Sequence, residues 1–183
     1  MKILILNGNP SEKGKEIDGY IERLAGGIKN AGHTVQVFTL RDMKITPCLG
    51  CFDCWVKTPG LCSIKDDAVE IAKTFITADH VIFCSPLLMG FVSSVLKNAM
   101  DRKLPLIHPH LEEIEGEVHH KKRYDKYPLL SFLLEKEEGT DEEDLSIVTD
   151  IFRRESINLR SALGFVHVTD TPVKEMLNEL GIH

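Results

Sequence analysis

Four thiols fall in one short stretch: Cys48, Cys51, Cys54 and Cys62 form a C-x2-C-x2-C-x7-C frame, and Cys84 is the remaining cysteine. Thiolates at this spacing can turn toward one centre while the backbone loops round it, as in iron–sulfur sites. Zinc also accepts four thiolates, but zinc ribbons draw them from two separated C-x2-C knuckles. Three cysteines in one run with a fourth soon after favour a four-iron cluster over zinc. A metal-free alternative has the thiols packing as small apolar side chains. A disulfide framework fits poorly, because nothing else in the chain looks secreted.

Two further segments have chemistry in their composition. Asn7-Gly8-Asn9-Pro10-Ser11-Glu12-Lys13-Gly14-Lys15-Glu16 is a turn of small and polar residues feeding an amphipathic stretch that begins at Ile17. Backbone N–H groups and the positive end of a helix dipole suit such a turn to a phosphate. Asn9, Pro10, Ser11, Lys15 and Ile17 are the candidate contacts. It is neither a Walker loop nor a G-x-G-x-x-G turn. The second segment, Ser85-Pro86-Leu87-Leu88-Met89-Gly90-Phe91-Val92, is an apolar turn. It suits the flat rings of a flavin, with Pro86, Leu87, Leu88, Met89, Gly90 and Phe91 in contact and backbone amides reaching the polar edge of the pyrimidine ring. Burial by a partner subunit is the competing use of the same residues. His119 and His120, beside Lys121 and Arg123, are candidates to line or cap such a pocket, against a plain solvated basic loop. Being adjacent, the two histidines do not suit joint metal ligation.

These segments need a scaffold, and the hydrophobic pattern supplies one. Lys2 to Leu6, Val35 to Thr39 and His80 to Ser85 read as strands buried on both faces, and Gly164 to Thr169 as the last strand. Between them Ile17 to Asn30, Asp66 to Thr77 and Val92 to Asp101 show helical periodicity, with Gly32 placed for a left-handed helix end. A short fourth strand is expected near Leu104 to His108, then an excursion over 106–128. Leu129 to Leu134 and Asp141 to Leu159 are expected as helices, the second capped by Thr140, and Pro172 to Leu180 as a final helix. The acidic run Glu135 to Glu138 reads as a solvated turn. Strands alternating with helices imply parallel pairing and right-handed crossovers, hence an α/β doubly wound parallel sheet with helices on both faces. In such sheets ligands bind beyond the carboxyl ends of the strands, where the two chemical turns fall.

A chain of 183 residues with net charge -6 has length for one full core, so residues 1–183 are expected to form a single domain. The charge gives no footing for nucleic acid. No apolar run approaches the roughly 20 residues needed to span a bilayer. Met1 leads directly into a strand, without the features of a signal peptide, so a cytoplasmic location is expected.

The turn after the first strand, the Ser85-Pro86-x-x-x-Gly90 segment leading to Lys97-Asn98-Ala99-Met100-Asp101-Arg102, and the cysteine loop closed by Asp66-Asp67 together resemble the NADPH-dependent FMN reductase group of flavodoxin-like proteins. The resemblance covers roughly residues 1–105. Cys48, Cys51, Cys54 and Cys62 match the compact C-x2-C-x2-C-x4–7-C motif of its iron–sulfur flavoprotein branch. The stretch from Trp55 through Thr58-Pro59-Gly60 to Cys62 resembles cluster-free relatives instead. The family's Gly-Ser-Pro-Arg turn is here Gly8-Asn9-Pro10-Ser11. The resemblance implies a flavodoxin-like fold and an NAD(P)H-dependent, FMN-binding oxidoreductase of flavin- or quinone-reductase type. Hydride would pass from a nicotinamide nucleotide to the flavin without a catalytic side chain, and on to a small-molecule acceptor or a redox protein. The alternatives are an electron carrier holding FMN and a 4Fe-4S cluster, and a zinc-binding module. A homo-oligomer is expected from the apolar surface of 86–92 and of the region after Pro128.

Overall fold

A computed structural model describes residues 1–11 and 16–182. β1 (Lys2–Asn7), β2 (Thr34–Thr39), β3 (His80–Leu88), β7 (Leu129–Glu135) and β8 (Leu163–Val168) pair in the order β2-β1-β3-β7-β8, and the short β4 (Phe91–Val92) turns back on β3. The five long strands are mutually parallel, with Ile3, Leu4 and Ile5 of β1 opposite Val35, Gln36 and Val37 on one side and His80, Val81 and Ile82 on the other. Continuous apolar runs such as Ile3-Leu4-Ile5-Leu6 suit a sheet covered on both faces.

Each face has its own core. α1 (Glu16–Asn30) and α6 (Val173–Glu179) bury Ile17, Leu24, Ile28 and Met176 against Ile3, Ile5 and Leu133. After the one-turn α2 (Asp53–Val56) of the cysteine loop, α3 (Ala68–Thr77), α4 (Ser94–Asp101) and α5 (Glu142–Asn158) cover the other face, where Phe75, Phe83, Phe132 and Phe152 pack together. The rings of Phe132 and Phe152 stack with centroids 3.6 Å apart. Gly32 ends α1 at φ 80, as its position predicts.

Four expectations are corrected. Leu129–Leu134 is a strand, not a helix: it pairs with His80–Ser85 in the middle of the sheet, where an apolar run interrupted only by Ser131 is buried on both sides. Val35–Thr39 lies at the sheet edge and is half-exposed rather than buried on both faces. The expected fourth strand is instead a 3₁₀ turn at Leu104–Leu106 leading into a hairpin, β5 (Ile107–Ile114) and β6 (Glu117–Lys122), outside the main sheet. Glu115 and Gly116 both have positive φ at its tip. Asp141, rather than Thr140, caps α5, its carboxylate accepting from Asp144 N–H while Asp144 accepts from Asp141 N–H.

Candidate functional site

Three chain segments meet the carboxyl edge of the sheet near the point where strand order reverses between β1 and β3. The first leaves β1. Gly8 N–H donates to Cys84 O at 2.7 Å, the Ser93 hydroxyl donates to Gly8 O, and Ser93 N–H donates to Ser85 Oγ. A Cβ on Gly8 would stand 2.5 Å from Leu96 Cβ and 3.0 Å from Cys84 O, so only glycine lets the turn lie this close to α4 and β3. Successive side-chain turns shape the chain beyond Gly8: Asn9 N–H donates to Asn7 Oδ1 and Ser11 N–H to Asn9 Oδ1. Arg41, in the 3₁₀ turn after β2, donates to Asn9 O and pairs with Asp18 at 3.1 Å. Burial pushes the Asp18 carboxyl up, but hydrogen bonds from Asn7, Arg41 and Asn9 and the Arg41 charge hold it below its usual range.

The second segment continues β3 further than its sequence pattern indicates. Pro86 and Leu87 are buried within the strand, while Leu88, Met89 and Gly90 form the exposed tip of the β3–β4 turn. Met89 and Gly90 both have positive φ, and the space in front of Gly90 is open to at least 4 Å. Their two N–H groups point to the same side and donate to the Glu137 carboxylate at 3.0 and 2.7 Å. The third segment follows β7. There Glu135 Oε1 accepts from Glu16 N–H, the first residue of α1, at 2.8 Å. The run Glu135 to Glu138 is therefore not a merely solvated turn: two of its carboxylates are fastened to the backbone of the other two segments.

Of the candidate contacts, Asn9 is buried at the turn, Pro10 is exposed and Ser11 is half-buried. Lys15 lies outside the described residues. Ile17 is wholly inside the α1 core, and Phe91 is half-buried, its ring 6.1 Å from Phe152. His119 and His120 lie on β6 and face opposite ways. The ring of His119 approaches Glu117 at 3.4 Å and that of His120 packs 5.1 Å from Trp55, so one is partnered within the hairpin and the other by the cysteine loop. The sequence pattern does not mark Arg41, Glu135 or Glu137 as contacts.

The cysteine loop lies along the end of α4. Cys48, Cys51, Cys54 and Cys62 line one small pocket whose walls also include Phe52, Ile64 and Arg102. Burial, then the neighbouring sulfurs of Cys62, Cys48 and Cys51, push the Cys54 thiol up to about 11. Arg102 fastens the loop: its guanidinium grips both Asp66 oxygens at 2.8 and 2.9 Å, donates to Thr46 O, and reaches Cys62 Sγ at 3.4 Å. Trp55 Nε1 donates to Leu104 O and Ile107 O, tying the loop to the hairpin. Among the described residues no three His, Cys, Asp or Glu side chains stand close enough to share a single metal ion, so the zinc reading gains no support from the geometry. Among the same residues no helix is long and apolar enough to cross a membrane.

A five-stranded parallel sheet of this order, with its turns gathered at the switch point, is a flavodoxin-like fold. Solved structures agree: an FMN-dependent NADH-azoreductase from Bacillus anthracis superposes with a TM-score of 0.63 at 14% identity, covering 97% of this chain and 92% of the other. An NAD(P)H:quinone oxidoreductase from Methanothermobacter marburgensis gives 0.64 at 20% identity, covering 100% and 92%. Residues 1–123 match the family model of NADPH-dependent FMN reductases, and the chain belongs to that family. An iron–sulfur flavoprotein of Methanocaldococcus jannaschii is 38% identical over 106 residues, 58% of this chain and 53% of that protein. One of Archaeoglobus fulgidus is 32% identical over 102 residues, 56% and 48%. The chain thus spans about half the length of the curated relatives it matches.

Proposed function

We propose that residues 1–183 act as one unit that binds FMN noncovalently between the turns of β1 and β3 and works as an NAD(P)H-dependent oxidoreductase. The observation that carries this reading is the set of backbone donors at the switch point. Glu16, Met89 and Gly90 N–H all receive oxygen acceptors, and those carboxylate oxygens stand in for phosphate and ring-carbonyl oxygens of the flavin. When bound, FMN accepts hydride and hands electrons on. The chain's own part is positional. Gly8 and Ser93 fix the phosphate-side turn, and the left-handed tip at Met89-Gly90 presents two N–H groups to the ring edge. The exposed Leu88 and Met89 shield that edge from water. Purified protein should release FMN fluorescence on denaturation or take FMN up in titration, and should oxidise NADH or NADPH with a quinone or other small acceptor. Absence of both binding and release would remove the proposal.

The cysteine loop supports a second reading, an iron–sulfur flavoprotein. Its support is that the four cysteines, in their C-x2-C-x2-C-x7-C frame, line one pocket. Cys48, Cys51, Cys54 and Cys62 would be the ligands. Anaerobic reconstitution should then give about four irons per chain, and Cys51→Ala should lose the brown colour while keeping FMN. Iron-free protein after reconstitution would leave the loop as a metal-free lid. Exposed Leu88, Met89, Leu111 and Val118 favour a homodimer, which light scattering at micromolar concentration tests.

A further inference from the structure

The end of β7 and the turn after it hold two carboxylates against backbone donors of the other two segments. Glu135 ends β7 and Glu137 follows two residues on, while Lys136 between them pairs with Asp170 at 2.5 Å. Beyond them the turn is closed on itself. Glu137 N–H donates to Thr140 Oγ1, Thr140 N–H donates to Glu137 O, and Gly139 takes φ 88. Glu137 is thereby fixed where each carboxylate oxygen meets one of the two N–H groups of the Met89-Gly90 tip. Glu135 meets the first N–H of α1, at the positive end of its dipole. These three N–H groups are the same donors that FMN would use.

We propose that Glu135 and Glu137 are internal competitors of FMN. The turn 135–140 occupies the flavin's donors in the free protein and must withdraw for FMN to enter, so FMN is an exchangeable ligand rather than a permanently held group. The inference rests on the FMN reading and adds two residues that set affinity. Two effects work together. FMN must break charge-assisted hydrogen bonds to gain its own, and its phosphate is repelled by the carboxylates it displaces.

The test compares wild type, Glu137→Ala, Glu137→Gln and Glu138→Ala in two measurements: FMN titration followed by flavin fluorescence, and backbone amide exchange at Met89 and Gly90 without FMN. Glu138→Ala removes a neighbouring charge but neither amide's acceptor. Glu137→Ala should speed exchange at both amides and tighten FMN by roughly tenfold or more, the scale of one charge-assisted hydrogen bond. Glu137→Gln should fall between, and Glu138→Ala should stay near wild type. Unchanged exchange in Glu137→Ala would overturn the occupied-donor state. Faster exchange with equal or weaker FMN binding would overturn the competition while leaving the FMN reading standing. Equal tightening by Glu138→Ala would overturn Glu137's specific role in favour of general repulsion. Faster exchange with no FMN binding by any of the proteins would overturn the FMN reading and the competition with it.

Discussion

Arg102→Met should be among the most damaging single substitutions near the cysteine loop. The arginine and its partner Asp66 are almost wholly out of solvent, each side chain 2% exposed, and the pair is bidentate. Burial pushes the Asp66 carboxyl up, but the Arg102 bonds, the Thr46 N–H and the Arg102 charge hold it at about 2. Removing one member of a buried pair costs about 3–5 kcal/mol, because the other is left as an uncompensated charge. Two features narrow that range. Asp66 keeps two backbone donors, Thr46 N–H at 2.9 Å and Ala68 N–H at 3.2 Å, which moves the cost toward about 3 kcal/mol. It can also escape by taking a proton: from an ordinary value of 3.8 this costs about 4 kcal/mol at pH 7, which caps the penalty. The expected loss is therefore about 3–4 kcal/mol in urea unfolding at pH 7. Labelling of the buried Cys54 thiol should accelerate as the loop opens, and Asp66→Asn combined with Arg102→Met should recover part of the loss. The folded Asp66 value lies below the unfolded one, so the wild-type pair contributes fully above 3.8 and loses its contribution as pH falls through about 2. Wild type and variant should converge there. A loss under about 1 kcal/mol, with Cys54 labelling unchanged, would refute the claim that this pair holds the loop.

Three other outcomes are expected. Burial lowers His80, bonded to Ser131 Oγ at 2.7 Å, from 6.5 to about 4, so its neutral ring contributes stability that is complete above 6.5 and lost as pH falls through about 4. The loss is about 3 kcal/mol, and an equal slope of stability against pH in His80→Asn would contradict it. Gly8→Ala should lower stability by about 1–3 kcal/mol through its clash with Leu96 and Cys84, and an unshifted Tm would show that the turn has slack. Gly90→Val should cost about 1–2 kcal/mol from its φ of 76 alone, since no atom lies within 4 Å of the new Cβ, and should also weaken FMN by crowding the ring. Equal FMN affinity in Gly90→Val would place the flavin elsewhere.

What the sequence reveals of this molecule depends on how local its causes are. β1, α1 and α4 declare themselves because their burial repeats within one element, as in Ile17, Ile21, Leu24 and Ile28. The grouping of Cys48, Cys51, Cys54 and Cys62 is likewise a matter of spacing within one loop. Leu129–Leu134 defeats the same reasoning: six residues of mostly apolar character suit a buried helix or a central strand equally. The deciding fact is pairing with His80–Ser85, some fifty positions earlier in the chain. The hairpin is poorly marked: Glu115-Gly116 offers the glycine but not the Asn or Asp of the favoured two-residue turns, and Leu111-Glu112-Glu113-Ile114 does not alternate. Arg102 was visible only as the end of a helix, since its partners come from Thr46 to Asp66. Glu135 and Glu137 were the least legible. Carboxylates in a charged run usually face water, and what makes these two different is a pair of backbone sites 119 and 48 residues away in sequence. Those sites are donors of the kind a flavin needs, so an acidic residue delivered there by β7 cannot be neutral toward the ligand. It either yields the donors or withholds them. If FMN binds as proposed, its affinity is then set as much by the strand that brings the acids as by the turns that hold the donors.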